Sequence, residues 1–341
     1  MAQASEAVAG EPLLDVRNLH TWFHTRHGVA KAVDGIDFQV VPGEVLCLVG
    51  ESGCGKSVTA MSVMRLVSPP GRVEDGEVLF DGKNLLNMSK AQMADMRGEK
   101  MSMIFQDPTS SLNPVAQVGL QISEVFEIHR QTVRKVGRER AVEMLDRVGI
   151  PDPGRRSTAY PHEMSGGMAQ RVMIAMALAC EPRLLIADEP TTALDVTIQA
   201  QILDLMRNLQ SESGMATILI THDLGVVAEM ADRVAVMYAG EIVEETDVAT
   251  LFSDPRHPYT ESLLGSIPTL GQLQDKLAVI PGTVPNLVNL PKGCRFASRC
   301  RARVENELTI CDDQRPALRQ VAPGHKVRCW LHDGEPQGGH P

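Results

Sequence analysis

Residues 50–57, with the sequence GESGCGKS, constrain the fold most strongly because they fit the pattern G-x-x-x-x-G-K-[ST]. An apolar, β-branched run at residues 45–49 precedes the pattern, and a helix-compatible stretch at residues 58–67 follows it. In this strand–loop–helix setting, small residues let backbone N–H groups surround a phosphate, and the helix dipole adds positive potential. The segment therefore predicts a nucleoside triphosphate site with the candidate residues Gly50, Ser52, Gly53, Cys54, Gly55, Lys56, Ser57 and Val58.

A second element of such a site follows at residues 184–189, where a buried-strand pattern ends in two carboxylates. In this arrangement Asp188 belongs to the Mg²⁺ shell, and Glu189 polarises the attacking water as a general base. Lys56 would reach the β- and γ-phosphates, and Ser57 would offer its hydroxyl to Mg²⁺. Taken alone, the apolar run ending in Asp-Glu also fits a strand that meets a solvated loop.

The length and charge of the chain narrow the possible functions. At 341 residues it is long for one hydrophobic core, which predicts two or three domains. A formal net charge of −10 disfavours a nucleic-acid-binding protein, because such proteins neutralise phosphates with a basic surface. The N-terminus lacks the pattern of a signal peptide, and no apolar run has the roughly 18 residues of a membrane span. We therefore expect a protein that is cytosolic or attached to a membrane through another molecule.

Residues 164–171, MSGGMAQR, resemble the LSGGQ signature of the ATP-binding-cassette (ABC) ATPases. A Ser-Gly-Gly turn that opens a helix makes an anion site, because N–H groups and the hydroxyl converge there. The resemblance implies that Ser165, Gly166 and Gly167 contact the γ-phosphate of an ATP held by the opposite subunit, in a head-to-tail dimer. Met164 and Met168 replace the Leu and Gln of the signature.

Three further ABC landmarks stand in the family order. Gln106 matches the Q-loop, which senses Mg²⁺ and water, and residues 193–195 match the D-loop at the dimer interface. His222 matches the switch histidine, which orients the γ-phosphate and Glu189. A lone Gln or His is more often structural, but all of these motifs together in the family order favour the functional interpretation.

In ABC ATPases an aromatic side chain from the first strands stacks on the adenine ring. Phe23 is the candidate for this role, and Trp22 and His27 are rivals. A ring that only packs between strands is an equally good interpretation of Phe23.

The resemblance implies an α/β fold with a RecA-like P-loop core, an antiparallel β subdomain and an α-helical subdomain that carries the signature. Alternating apolar and polar residues at 13–45 independently indicate antiparallel strands. We predict an ABC ATPase domain at 11–250 with its helical subdomain at about 107–175, a C-terminal extension at 251–331, and flexible tails at 1–10 and 332–341.

Segments of this extension narrow the family. Residues 255–260 (PRHPYT), 292–300 (KGCRFASRC) and 325–330 (HKVRCW) resemble the extension of the oligopeptide/dipeptide importer ATPases, and the D-type ATPase most of all. The resemblance implies an ATPase that drives di- or oligopeptide import. Nickel, glutathione or another small solute remains open as cargo, and a non-transport ABC ATPase is a further alternative.

The same resemblance implies the partners and the location of the chain. Two permease subunits and a homologous second ATPase would form the complex, and an external solute-binding protein would act indirectly. The chain would lie as a peripheral subunit on the cytoplasmic face of the inner membrane, without a nucleic-acid partner. The implied substrate and cofactor are ATP and Mg²⁺, with Ser57 and Gln106 near the metal ion.

Four of the seven cysteines cluster near the C-terminus, at Cys294, Cys300, Cys311 and Cys329. In a reducing cytosol such a cluster favours a metal site over disulfides. The spacing lacks the close pair usual in zinc sites, and on its own it leaves an iron–sulfur cluster, zinc and no metal open. The resemblance to the importer family favours a [4Fe–4S] cluster that clamps the extension.

Overall fold

The computed structural model describes residues 11–192, 194–266 and 280–333. The predicted tail at 1–10, residues 334–341 of the second tail and Ala193 of the D-loop segment lie outside the described residues. Throughout the described ranges, no helix is both long and apolar enough to cross a membrane.

One layer of the molecule is an antiparallel sheet. Its strands are β1 (Leu14–Thr25), β2 (Gly28–Val40), β4 (Gly71–Phe80) and β5 (Lys83–Asn84), and their order in the sheet is β2-β1-β4-β5. Strand β1 pairs with β2 from Leu14 opposite Val40 to Thr25 opposite Gly28, as the alternating pattern predicts. Strand β1 pairs with β4 on its other edge.

The second layer is an eight-stranded mixed sheet. Its strands are β3 (Val45–Val49), β6 (Met101–Ile104), β7 (Leu184–Asp188), β8 (Ala216–Ile220), β9 (Arg233–Tyr238), β10 (Glu241–Asp247), β11 (Arg319–Ala322) and β12 (His325–Val327). The order is β11-β12-β10-β9-β3-β8-β7-β6. Strands β9, β3, β8, β7 and β6 run parallel, and the three strands beyond β9 are antiparallel.

Both faces of the mixed sheet are buried, which explains why its central strands are continuous apolar runs. Leu46 and Leu48 of β3 pack in a cluster with apolar residues of the antiparallel sheet. Val45, Cys47 and Val49 point to the opposite face and pack against the helices. The alternation of side chains along β3 thus joins the two hydrophobic cores into one body.

Helices α1 (Lys56–Val63) and α2 (Lys90–Met96) contribute Ala60, Val63 and Met93 to the cluster with the antiparallel sheet. The remaining helices form the segment between β6 and β7 or pack on the second face. They are α3 (Pro108–Ser111), α4 (Val118–Arg130), α5 (Arg134–Arg147), α6 (Pro153–Arg156), α7 (Gly166–Leu178), α8 (Val196–Ser213) and α9 (Leu224–Met230). Helices α3 to α6 and most of α7 lie within residues 107–175, the predicted helical subdomain, and α7 extends three residues beyond it. Helix α4 buries Val118, Ile122 and Phe126, whose four-residue spacing forms its apolar face.

The C-terminal extension is built onto the core sheet. It begins within α10 (Val248–Ser253) and contains α11 (Pro258–Leu264), α12 (Arg301–Glu305) and α13 (Ile310–Asp313), together with β11 and β12. Strand β12 pairs with β10, where Val327 lies opposite Glu244. The buried carboxylate of Glu244 accepts hydrogen bonds from the backbone N–H groups of Arg256 and His257 and lies 2.7 Å from His325 Nε2. Burial opposes the charge on Glu244, but these bonds outweigh it and lower its pKa.

Candidate nucleotide-binding and hydrolysis site

The candidate phosphate-binding loop lies between β3 and α1, in the strand–loop–helix arrangement that its sequence predicts. Gly50 has φ +148° and Gly55 has φ +114°, conformations that side chains rarely adopt. A Cβ atom at Gly50 would collide with the carbonyl oxygen of Met237, and one at Gly55 with that of Ala32. The loop is therefore held against the end of β9 and against β2, and only glycine fits at these two contacts.

The remaining loop residues divide by exposure. Ser52 and Gly53 are exposed at the tip of the loop, Cys54 is buried beneath it, and Val58 is half-buried at the start of α1. The carbonyl oxygen of Cys54 accepts a 2.8 Å hydrogen bond from the Gly240 N–H. Burial raises the pKa of the Cys54 thiol.

Lys56 is 5% exposed, and its ammonium group folds back onto its own loop. Its Nζ atom donates to the carbonyl oxygens of Gly50 at 2.7 Å and Glu51 at 3.2 Å. This arrangement keeps a positive charge at the centre of the loop, where phosphate oxygens are expected.

Ser57 and Asp188 come together from α1 and β7, with Ser57 Oγ donating to Asp188 Oδ1 at 3.0 Å. Burial raises the pKa of Asp188, the hydrogen bond from Ser57 opposes the shift, and the charge of Glu189 adds to it. A hydroxyl and a buried carboxylate offer oxygen ligands of the kind that Mg²⁺ prefers. The two side chains therefore form a candidate cation site.

Glu189 is the centre of a cluster drawn from the carboxyl ends of three neighbouring parallel strands. Gln106 follows β6, and its Nε2 donates to Glu189 Oε2 at 2.9 Å. His222 follows β8, and its Nδ1 lies 3.4 Å from Glu189 Oε1. Thr192 Oγ1 also donates to Glu189 Oε2, at 2.8 Å. Ligand sites of open α/β sheets form at this edge.

The backbone of Glu189 supports this placement. Its φ is +46°, an unusual left-handed conformation for a residue other than glycine. Its N–H donates to the Ile220 carbonyl at 2.9 Å, which fixes the turn after β7. Sequence reasoning did not identify Thr192 as a partner of Glu189, although it is only three residues away.

The candidate signature residues lie on a different part of the molecule. Ser165 is the N-cap of α7, and its Oγ accepts a 3.3 Å hydrogen bond from the Met168 N–H. Gly166 and Gly167 form the first turn of α7 beside the start of α8. Among the contacts of the described residues, none joins this turn to the phosphate-binding loop of the same chain.

The three aromatic candidates lie close together on β1 and in the following turn. Phe23 is half-buried over Gly71 of β4, where a Cβ would lie 2.5 Å from its ring. The ammonium nitrogen of Lys31 lies over the Trp22 ring, 4.7 Å from the ring centroid. His27 is exposed between β1 and β2. The adenine partner therefore stays a prediction.

The four C-terminal cysteines lie near one another, beside the hydrophobic core on the helix-covered face of the mixed sheet. Cys294 and Cys300 pack against that core, and the Cys294 N–H donates to the Cys311 carbonyl at 2.8 Å. Burial raises the pKa of Cys294 to about 12 and that of Cys329 to about 11, and the neighbouring thiols add to both shifts. Within the part of the chain that is described, no group of three His, Cys, Asp or Glu side chains could hold a single metal ion.

Sequence reasoning missed a direct link between this extension and the phosphate-binding loop. Arg299 forms a two-pronged ion pair with Glu51, and Tyr259 Oη accepts a hydrogen bond from the Glu51 N–H. The only sequence signal was the position of Arg299 next to Cys300, which gives no indication of a partner 248 residues away.

Comparison with known proteins identifies the family. Residues 33–192 match the ABC transporter family, and residues 243–306 match the C-terminal region of oligopeptide/dipeptide transporters. The dipeptide transport ATP-binding protein DppD of Bacillus subtilis is 50% identical over 324 residues, which cover 95% of this chain and 96% of that protein. This chain belongs to the ATP-binding subunits of the peptide ABC transporters.

Other relatives agree with this assignment. A probable peptide ABC transporter ATP-binding protein of Sinorhizobium fredii is 53% identical over 320 residues, or 93% of this chain and 94% of that protein. The solved ATP-binding cassette MJ0796, a dimer bound to ADP and phosphate, matches with a TM-score of 0.63 and 25% identity. The match covers 69% of this chain and 98% of that cassette. The predicted ABC ATPase fold and the predicted ATPase activity are confirmed.

Alanine substitutions at Gly166 and Gly167 provide a matched test of the packing between α7 and α8. A Cβ at Gly167 would lie 2.7 Å from Ile198 Cγ2, whereas one at Gly166 would meet only Leu194 Cδ2, at 3.9 Å. Gly167→Ala should therefore lower the free energy of unfolding by about 1–3 kcal/mol through overpacking. Gly166→Ala should leave stability unchanged or slightly raised. Thermal unfolding of the nucleotide-free proteins measures both, and equal midpoints would contradict this packing argument.

Proposed function

We propose that this ATPase powers the import of di- or oligopeptides through a membrane permease. The observation that carries the proposal is the C-terminal extension, because it matches the oligopeptide/dipeptide transporter region and is joined to the core sheet. The relatives described above as dipeptide or peptide transport proteins support the same cargo class.

Each candidate residue has a role in the proposed hydrolysis. The loop at residues 50–58 binds the triphosphate, and Lys56 exchanges its carbonyl partners for phosphate oxygens. Glu189 accepts a proton from a water whose oxygen attacks the γ-phosphorus, and the bond to the leaving ADP breaks. Gln106 and His222 orient Glu189, with which both are in contact.

The proposed site also fits Mg²⁺. Ser57 and Asp188 are oxygen ligands whose oxygens lie 3.0 Å apart, and burial raises the pKa of Asp188, so that a nearby cation would favour its charged form. We assign these two residues, with Gln106 nearby, to the shell of the ion. The ion would supply charge neutralisation at the phosphates.

The proposed working unit contains two cassettes. Ser165, Gly166 and Gly167 have no contact with the phosphate-binding loop of their own chain within the described contacts, which supports a role toward the nucleotide of a second cassette. That partner would be a homologous ATPase subunit. Two permease subunits would anchor the pair, so that the chain lies peripherally on the cytoplasmic face of the membrane. Phe23 is the proposed adenine contact.

Replacing the proposed general base tests the hydrolysis step. Glu189→Gln should bind ATP with an affinity close to that of the wild type but lose at least about 100-fold in turnover, because general-base catalysis contributes about that much. ATP binding and phosphate release are measured on the same preparations. Glu212→Gln, which changes an exposed carboxylate that pairs with Arg147 on the surface, should keep wild-type turnover. Wild-type turnover in Glu189→Gln would exclude the assigned role.

Purification of the tagged chain from detergent-solubilised membranes tests the transport proposal. We expect two permease subunits and a second cassette to co-purify, and the reconstituted complex to import peptides only when ATP is supplied. Import of nickel or glutathione instead of peptides would show that the proposed cargo is wrong and would leave the transport role intact. Recovery with ribosomes or DNA, or without membrane subunits, would overturn the transport role.

We also propose that Cys294, Cys300, Cys311 and Cys329 hold a [4Fe–4S] cluster. The Cys294 N–H donates to the Cys311 carbonyl, and Cys294 and Cys300 pack against the same hydrophobic core. Four thiolates are a complete ligand set for such a cluster. A cluster is larger than a single ion, so its ligands stand further apart than those of zinc. Its role would be structural, since metal binding deprotonates the thiols and ties together a segment with few apolar residues of its own.

Metal analysis after anaerobic purification tests this assignment. The wild-type chain should contain about four iron and four acid-labile sulfide atoms. Cys311→Ser should lose most of both, whereas Cys180→Ser, a buried cysteine outside the quartet, should keep them. Protein with neither iron nor sulfide would contradict the assignment, and one zinc per chain would replace it with a zinc site.

A further inference from the structure

Arg299 lies in the segment between Cys294 and Cys300, yet its guanidinium group reaches the phosphate-binding loop. Its Nη1 lies 2.7 Å from Glu51 Oε2, and its Nη2 lies 3.0 Å from Glu51 Oε1. Its Nε donates to the Pro281 carbonyl at 2.8 Å, and only 3% of the side chain is exposed. The fork geometry and the burial make this a fixed contact rather than a solvated surface pair.

Glu51, the second residue of the loop, is held on three sides. Its carboxylate pairs with Arg299, and its N–H donates to Tyr259 Oη at 2.8 Å. Its carbonyl accepts from Lys56 Nζ at 3.2 Å. Two of these three contacts come from the C-terminal extension, and the third comes from the lysine expected to bind phosphate.

The charge of Glu51 requires such a partner. A carboxylate one residue beyond Gly50 adds a negative charge to a loop that is expected to bind a triphosphate, and like charges repel each other. The Glu51 carboxylate in turn raises the pKa of Arg299 further, so the guanidinium stays charged at all working pH values. Arg299 therefore neutralises the one acidic side chain of the loop and fixes the position of its carboxylate.

We propose that Arg299 is a positioning residue for ATP binding, acting through Glu51. Through this contact the cysteine-bearing extension sets the shape and charge of the phosphate-binding loop. A preorganised loop loses less conformational freedom when it binds ATP, and a neutralised one repels the phosphates less. The proposal needs only ATP binding at residues 50–57 and is independent of the transported cargo.

Arg295 provides a matched control. It lies next to Cys294 as Arg299 lies next to Cys300, and its side chain is equally buried, at 5% exposure. Its ion pairs go to Asp34 and Glu241, outside the phosphate-binding loop. Arg295→Gln thus removes a buried arginine from the same segment without touching Glu51.

The experiment measures ATP affinity with a fluorescent ATP analogue and steady-state hydrolysis by the full chain. Arg299→Gln should weaken binding and raise KM for ATP by about tenfold, since a hydrogen-bonded charge pair is lost, with kcat little changed. Arg295→Gln should leave the affinity within about twofold of the wild type at a comparable loss of thermal stability. Iron content, measured alongside, should be the same in both variants.

The double variant Glu51→Gln/Arg299→Gln separates charge from general damage. Removing the carboxylate as well should recover most of the affinity lost in Arg299→Gln, because no uncompensated negative charge then faces the phosphates. If Arg299→Gln binds ATP normally, if Arg295→Gln is equally impaired, or if the double variant recovers nothing, the proposal is overturned.

A second pair of variants covers the case in which Arg299→Gln does not fold. Arg299→Lys keeps the charge but not the two-pronged fork, so it should weaken ATP binding several-fold. Arg295→Lys should not. Equal affinities in these two lysine variants would also overturn the proposal.

Discussion

Close contact between the phosphate-binding loop and its surroundings is the constraint on which the rest of the site depends. Gly50 lies against the Met237 carbonyl and Gly55 against the Ala32 carbonyl, so the loop is pressed between the mixed sheet and the antiparallel sheet. The backbone amides are therefore fixed before any nucleotide arrives. These contacts pack β2, β9 and the loop before α1 against one another. The conformation of the loop therefore depends on the relative position of the two sheets.

The proposed hydrolytic cluster shows how a parallel sheet brings together residues that are distant in sequence. Gln106, Glu189 and His222 each follow a different strand, and the neighbouring order of β6, β7 and β8 places them at one edge. None of these side chains is near another in sequence. Glu189 contacts Gln106, Thr192 and His222, so protein side chains orient its carboxylate.

The extension is part of the ATPase core in physical terms. Its strands β11 and β12 lengthen the mixed sheet, and Glu244, buried in β10, accepts hydrogen bonds from two backbone N–H groups of the extension. Two buried arginines of the cysteine-bearing segment form ion pairs with the core. Arg295 pairs with Asp34, and Arg299 pairs with Glu51. Buried charges need partners, so each arginine specifies where the segment docks.

The sequence by itself determined the fold family, the order of the motifs, and the strand–loop–helix around residues 50–57, because these depend on local patterns of glycine, charge and apolar residues. It also identified the candidate residues Asp188, Glu189 and His222 from short contiguous motifs. It missed β11 and β12 as core strands, because three- and four-residue strands carry almost no periodic signal. Only the tertiary structure decided that Arg299 meets Glu51, because a pairing across 248 residues is set by packing and electrostatics, which no local pattern encodes.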